Sequence, residues 1–248
     1  MSKVHLAPLS SIGVGAVGLF AVDRVSALSV AGWTAGLLYL VVSNALLTRG
    51  LNRRTTIPFG WANGVTALRS TMVGVVTGLV ATSFTASVSV PLLVWLAGIA
   101  LALDAVDGWI ARITNTVSEL GARFDMEVDA FFLLVLSAYL APSMGWWVLT
   151  IGLLRYVFVA AGWLLPWMRR TLPHRYSRKV VTAVAGIALV LAASTLTPAW
   201  AGLAGVLVAL TLLLESFGRD TVWLIRRRGS APGAEEGAKT AAGTGREA

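Results

Sequence analysis

Long apolar segments recur along almost the whole of this 248-residue chain. A helix needs roughly 17 to 25 apolar residues to cross the hydrocarbon core of a bilayer. The chain is 56% hydrophobic and only 13% charged, which excludes an ordinary soluble globular domain. The first segment is short and rich in glycine, and it either crosses the membrane or forms an interfacial or re-entrant piece. We therefore predict an all-α, polytopic integral membrane helical bundle with segments at residues 6–22, 27–47, 62–83, 88–109, 122–141, 146–167, 180–197 and 199–218.

Much of the positive charge, which gives a net charge of +8, lies in three stretches between or after the apolar segments. The turns "APSMG" and "TPAWAG" between other segments carry no charge. This distribution follows the positive-inside rule and predicts a multi-pass protein of the cell membrane with its basic loops in the cytoplasm. Membrane lipids, and no nucleic acid, are therefore the expected partners of these charges. The basic residues are Arg49, Arg53 and Arg54, then Arg169, Arg170, Arg175, Arg178 and Lys179, and finally Arg219, Arg226, Arg227 and Arg228.

Cysteine is absent from the chain. This excludes disulfides, thiolate metal sites and cysteine nucleophiles. The last stretch, residues 229–248, is small, polar and aperiodic, and we predict that it is disordered.

Acidic residues are concentrated in residues 103–132, which hold six of the 12 in the chain. Asp104 and Asp107 are three positions apart, and Asp125 and Asp129 are four apart, so each pair shares one face of a helix. Four carboxylates that meet at a membrane surface repel one another unless cations neutralise them. Oxygen ligands without histidine or cysteine select Mg²⁺, Mn²⁺ or Ca²⁺ over zinc or copper. The pattern therefore predicts a divalent-cation site at the cytoplasmic surface.

Small residues continue the face that begins with Asp104 and Asp107. Gly108 and Ala111 leave room for a ligand against the helix backbone, and Arg112 offers a planar fork that suits phosphate. The combination predicts a diphosphate that is held by cations.

Together these residues resemble the signature of the CDP-alcohol phosphatidyltransferase family. A preceding segment, "ANGVTALR", is similar to a second family element, Asn-x-x-Thr-x-x-Arg, with Asn63, Thr66 and Arg69. The likeness covers roughly residues 60 to 220, which hold six helices, and leaves about two N-terminal helices as an addition. The signature reads Asp104-x-x-Asp107-Gly108-x-x-Ala111-Arg112, eight further residues, and then Gly121-x-x-x-Asp125-x-x-x-Asp129.

The resemblance implies a membrane enzyme that transfers a phosphoalcohol group from a CDP-linked donor to an alcohol and releases CMP. It implies that Asp104, Asp107 and Asp125 hold a pair of Mg²⁺ or Mn²⁺ ions, with Asp129 close to them as a metal-site residue and as the general base. It further implies three regions: N-terminal membrane helices and a basic loop at 1–54, the family core at 55–228, and the tail at 229–248. The residues expected around the CDP moiety and its diphosphate are Asn63, Thr66, Arg69, Gly108, Ala111, Arg112 and Gly121.

Four basic residues are candidates for binding the acceptor. Arg155 falls near the middle of an apolar segment, and it either binds an anion or is a structural charge that snorkels or pairs with Glu215. Arg175, Arg178 and Lys179 precede the next segment, and they either bind a phosphorylated acceptor or anchor the helix at the membrane surface.

Several interpretations remain open at this stage. The favoured one is transfer from CDP-diacylglycerol to a polar alcohol; the alternatives are a CDP-choline or CDP-ethanolamine phosphotransferase acting on diacylglycerol, and a divalent-cation transporter. Ala130 follows the last aspartate where family members that use inositol phosphate commonly carry a basic residue, which weakens the case for inositol phosphate as the acceptor.

Small residues recur at four-residue spacing in the two N-terminal segments. Ser11 with Gly15, and Gly32 with Gly36, form small-x-x-x-small pairs that predict packing on the core or on a second subunit in a homodimer.

Overall fold

The computed structural model describes residues 6–52, 61–113, 119–169 and 176–226. Within these ranges the chain forms eight α-helices and two short 3-10 helices, and no strand. The predicted all-α bundle is confirmed. The α-helices are α1 (Leu6–Val25), α2 (Val30–Asn52), α3 (Trp61–Ser83), α4 (Val90–Ile113), α5 (Glu119–Met144), α6 (Leu149–Leu164), α7 (Tyr176–Ala193) and α8 (Ala199–Arg226), and the 3-10 helices are Trp146–Val148 and Pro166–Arg169.

Each predicted apolar segment corresponds to one helix, although some ends differ. The first segment is a continuous helix of 20 residues, so it is not a re-entrant piece. The seventh ends at Ala193 rather than 197, because the hydroxyls of Ser194 and Thr197 both donate to the carbonyl of Leu191 at 2.7 and 2.8 Å and satisfy the helix end. The eighth continues to Arg226, beyond the predicted end at 218.

Three helical stretches within the described ranges are long and apolar enough to cross a membrane: Val30–Arg49, Trp146–Leu164 and Ala199–Arg226. Val90–Val106, the first part of α4, is a shorter apolar stretch. Large apolar side chains also point outward, as with Leu38, Trp163 and Leu207, which are 65%, 73% and 47% exposed. Such an apolar exterior suits lipid rather than water, and the fold is that of a polytopic helical membrane protein.

The central element of the bundle is α3, which packs against α1, α2, α4 and α5. Its residues from Arg69 to Val80 are almost all buried, and Val76 and Leu79 are completely inaccessible. Beyond α4 and α5 lie α6 and α7, which both pack against α5, and α8, which packs against α6 and α7. Helix α3 therefore lies between the two N-terminal helices and most of the remaining bundle, although α2 also contacts α5.

The N-terminal helices are joined to α3 by leucines that lie against glycines. Leu19 of α1 is fully buried against Gly36 and Gly78, and an added Cβ at these glycines would lie 2.8 and 2.9 Å from its side chain. Leu40 of α2 is equally buried and lies against Gly15 of α1 and Gly74 of α3. The glycines leave room for these leucine side chains, so that the helix backbones can lie close together. The predicted small-residue packing thus occurs on the core of the same chain, and a homodimer stays a prediction.

Candidate active site

Carboxylates from two helices meet at one end of the bundle. Asp104 lies near the C-terminus of α4, and Asp125 and Asp129 lie one turn apart near the N-terminus of α5. One carboxylate oxygen from each of the three residues lies within 4.8 Å of the other two. All three side chains are partly buried, and this end of α5 therefore faces the C-terminal end of α4 through acidic groups.

Arg69 of α3 lies between these carboxylates and is only 2% exposed. Its Nη1 contacts Oδ1 of Asp104 and donates to Oδ1 of Asp125 at 2.5 Å. Its Nη2 donates to Oδ1 of Asp129 at 2.8 Å and to the backbone carbonyl of Asp125 at 3.3 Å. One guanidinium thus holds three carboxylates together, as its planar fork of donors allows.

The donor set fits hard divalent cations. All three candidate ligands are carboxylates, and the chain has no cysteine that would favour a softer metal. One guanidinium against three carboxylates leaves an excess of negative charge, which Lys179 of α7 offsets in part from 3.8 Å, measured from its Nζ to Oδ2 of Asp125. Asp107 follows Asp104 by one turn in α4, but its side chain lies outside the part of the chain that the structure describes. Three of the four predicted metal ligands are therefore brought together.

The predicted nucleotide-binding residues lie on the same three helices. Asn63 and Thr66 belong to the first two turns of α3, and Gly121 belongs to the first turn of α5. Gly108, Ala111 and Arg112 form the last turns of α4. Apart from Arg69 and Gly121, their side chains are outside the described residues, so a nucleotide role stays a prediction for them. The sequence predicts Arg69 beside the nucleotide. In the structure, its guanidinium instead contacts the carboxylates of the acidic cluster.

A cavity of about 410 Å³ extends from the carboxylates into the space between α4, α5, α6, α7 and α8. Its acidic end is formed by Asp104, Asp125 and Asp129, and apolar side chains such as Phe132 and Phe217 form its walls. The predicted acceptor residues Arg155, Arg178 and Lys179 also line it. The cavity therefore joins the acidic cluster to three cationic side chains through a largely apolar space.

Arg155 and Arg178 are each paired with a carboxylate. Nη2 of Arg155 on α6 contacts Oε1 of Glu127 on α5. The alternative pairing of Arg155 with Glu215 is wrong, because Glu215 contacts Arg219 of its own helix, with 3.1 Å between Oε1 and Nε. Within the described residues, Nε of Arg155 is buried and lacks a hydrogen-bond partner, so it can donate to a ligand in the cavity. Arg175 lies outside the described residues.

Two acidic residues of this region were not predicted from the sequence. Asp220 of α8 is 5% exposed, and its Oδ2 lies 3.2 Å from Nε of Arg178. Glu127 of α5 neutralises Arg155. No clear signal in the sequence marked Asp220, because it lies beyond the predicted end of the eighth segment at residue 218. Its partner could not be inferred, because Arg178 is 42 positions away on another helix.

Comparison with known protein families finds a match over the part of the chain that contains this site. A family model described as CDP-alcohol phosphatidyltransferase matches residues 59–216, which is more than half of the chain. The match contains α3 to α7 and most of α8, and it includes every residue of the acidic cluster. No significant match was found among curated proteins or solved structures. Helices α1 and α2 lie outside the matched region.

Proposed function

Because this chain belongs to the CDP-alcohol phosphatidyltransferase family, we propose that it transfers the phosphatidyl group of CDP-diacylglycerol to a polar alcohol and releases CMP. Family membership implies a transferase that acts between a CDP-alcohol and an acceptor. The observation that carries the finer proposal is the convergence of Asp104, Asp125 and Asp129 at the end of a cavity with apolar walls. Such a site can hold charged and lipid parts of one donor at once.

The acidic cluster is proposed to bind divalent metal. Asp104, Asp107 and Asp125 would hold Mg²⁺ or Mn²⁺, with two ions expected and Asp129 close to them. Bound ions of this kind neutralise the diphosphate and stabilise charge as the leaving group departs. Arg69 contributes by gathering the carboxylates, since it contacts Asp104, Asp125 and Asp129 from its buried position on α3.

Asp129 is proposed as the general base. It lies on the cavity wall, where an acceptor hydroxyl can reach its carboxylate oxygen. The carboxylate takes the proton of that hydroxyl while the hydroxyl oxygen forms a bond to the phosphorus that carries the diacylglycerol group. The bond from this phosphorus to the bridging oxygen breaks, and CMP leaves with that oxygen. Proton transfer to a positioned base typically contributes a factor of about 10² to 10⁴.

The proposed orientation places the site at the cytoplasmic surface of the cell membrane. Arg178 and Lys179 of α7 contact Asp220 and Asp125, so these basic residues lie at the same end of the bundle as the acidic cluster. Clusters of lysine and arginine favour the cytoplasmic side. A lipid-linked nucleotide would then keep its acyl chains in the bilayer and its headgroup at the site.

An unphosphorylated alcohol without net charge is the class of acceptor that the paired cations favour. Glu127 offsets the charge of Arg155, and Asp220 offsets that of Arg178. A phosphorylated alcohol would bring two further negative charges to a region whose cations already have partners. Nε of Arg155 remains able to donate a hydrogen bond to a hydroxyl oxygen. This supports inositol, serine or a similar alcohol over inositol phosphate or glycerol phosphate.

The experiment is an acceptor panel with radiolabelled CDP-diacylglycerol and purified protein in lipid nanodiscs. Release of CMP and the mobility of the lipid product are measured with inositol, serine, phosphatidylglycerol, glycerol phosphate and inositol phosphate, each with Mg²⁺, Mn²⁺ or a chelator. Metal-dependent CMP release with an unphosphorylated alcohol is expected. Activity only with CDP-choline or CDP-ethanolamine and diacylglycerol would replace the donor assignment. Metal flux into proteoliposomes without CMP release would show a transporter instead of an enzyme.

A further inference from the structure

One aromatic side chain of the N-terminal helices reaches the layer of the active site. Tyr39 of α2 stacks on Phe131 of α5, with ring centroids 4.6 Å apart and an interplanar angle of 22°. Its hydroxyl oxygen lies 3.3 Å from Oγ of Ser70 on α3, within hydrogen-bonding distance. Its ring also packs against Gly74 of α3, where an added Cβ would lie 3.1 Å from Cδ1 of the ring. The Tyr39 ring thus lies between α3 and α5.

The two contacts lie beside the residues that form the site. Ser70 follows Arg69 directly in α3, and Phe131 comes two residues after Asp129 in α5. Arg69 and Asp129 are themselves joined across α3 and α5 by the 2.8 Å hydrogen bond. Tyr39 therefore contacts the helix of the cation and the helix of the carboxylates, each within one turn of the ion pair.

We propose that Tyr39 is a positioning residue for the metal and base site. By stacking on Phe131 and hydrogen bonding to Ser70, it sets the distance and rotation of α3 against α5, so that Arg69 holds Asp125 and Asp129 in register. The inference rests on the proposed transferase function and adds to it a requirement for α2, which lies outside the matched family region.

The packing around Tyr39 makes a displacement of its ring costly. The next residue, Leu40, is fully buried against Gly15 and Gly74, so the α2 backbone is held close to α1 and α3. Packed interiors transmit such shifts rather than absorb them. A misplacement of about 1 Å at a catalytic group can lower turnover about 10²-fold. Loss of the ring is therefore expected to lower turnover and metal binding, and not only the stability of the fold.

The test uses Tyr39→Leu, which removes the ring, and Tyr39→Phe, which removes only the hydroxyl. We expect Tyr39→Leu to lower kcat about 10- to 100-fold and to weaken Mn²⁺ binding, with little change in the KM for the acceptor. Tyr39→Phe keeps the stacking on Phe131 and should restore most of both properties. Mn²⁺ binding is measured by electron paramagnetic resonance on purified protein in nanodiscs without substrate.

Trp33→Leu is the matched control, because Trp33 is a partly buried aromatic residue of the same helix and lies nearly two turns from Tyr39. It should lower the thermal midpoint of unfolding by a similar amount while leaving kcat and Mn²⁺ affinity near those of the wild type. Equal losses of kcat and of Mn²⁺ affinity in Trp33→Leu and Tyr39→Leu would overturn the proposal. Unchanged Mn²⁺ binding and turnover in Tyr39→Leu would also overturn it. Mn²⁺ binding is measured without turnover. A wild type that binds Mn²⁺ but releases no CMP would therefore refute the proposed function, while the effect of Tyr39→Leu on Mn²⁺ binding would still test the role of Tyr39.

Discussion

The two sides of the bundle use opposite means to pack helices. Around α1, α2 and α3, leucines lie directly against glycines, and the backbones approach closely. Around α5 to α8, the helices instead leave a cavity of about 410 Å³ that is lined by paired charges. Association of membrane helices depends on close van der Waals packing, whereas polar groups in the bilayer must find partners or a polar cavity. One side is thus close-packed, whereas the other holds the candidate active site, and Arg69 of α3 reaches the carboxylates at the end of the cavity.

The strongest test of the cavity side is Asp129→Asn. This change removes a proton acceptor with almost no change in size, so turnover should fall by about 10²- to 10⁴-fold while the protein still folds and binds Mn²⁺. CMP release measures the first effect, and thermal unfolding with electron paramagnetic resonance measures the second. Asp107→Ala, in contrast, should lose metal binding and activity together. Wild-type turnover in Asp129→Asn would remove this residue from the role of base.

The strongest test of the close-packed side is Gly32→Ala. An added Cβ at Gly32 would lie 2.6 Å from the backbone carbonyl of Gly78 and closer still to the hydroxyl of Thr82. We expect a loss of about 1 to 3 kcal/mol in unfolding free energy, because neither helix backbone can move freely. Thermal unfolding in nanodiscs measures it. Gly13→Ala in α1 is the control, since nothing lies within 4 Å of its added Cβ; equal midpoints for the two variants would contradict the packing account.

A smaller effect is expected from Asp220→Asn, which removes the carboxylate that offsets Arg178. With this carboxylate partner neutralised, Arg178 should favour a phosphorylated acceptor, and the ratio of kcat/KM for alcohol phosphate over free alcohol should rise by about tenfold, or 1.4 kcal/mol. The acceptor panel measures this ratio for both proteins. Glu215→Gln, a neutralisation in the same helix outside the cavity lining, serves as its control. An unchanged ratio would show that the pairing of Arg178 does not select the acceptor.

The smallest effect is expected from Glu215→Gln itself. Glu215 and Arg219 are four positions apart in α8 and are both about half exposed. Pairs of this kind contribute about 0.3 to 0.5 kcal/mol, so the unfolding midpoint should barely change and turnover should stay at the wild-type level. A large loss of activity would place Glu215 in the site and would revise the boundary between the cavity and the outer face of α8.

Much of the candidate site could be predicted from the spacing of residues along the chain. The four-residue interval between Asp125 and Asp129 places both carboxylates on one face of α5, whatever the rest of the chain does. The hydrophobic segments likewise predicted eight helices, although the ends of α7 and α8 were misplaced. The end of α7 is set by hydroxyl caps, which an apolar pattern does not show. Helix α8 continues through charged residues such as Arg219 and Asp220, where the apolar pattern stops.

The sequence by itself determined the class of molecule, the number of helices and the identity of the acidic residues, because hydropathy and helical spacing are properties of short stretches of chain. Only the tertiary structure decided which partners meet. Arg69 donates a hydrogen bond to Asp129, which is 60 positions away, and Tyr39 stacks on Phe131, which is 92 positions away. Asp220 of α8 pairs with Arg178 of α7. Such pairings depend on how far one helix is rotated and shifted against another, and that is set by packing over the whole bundle.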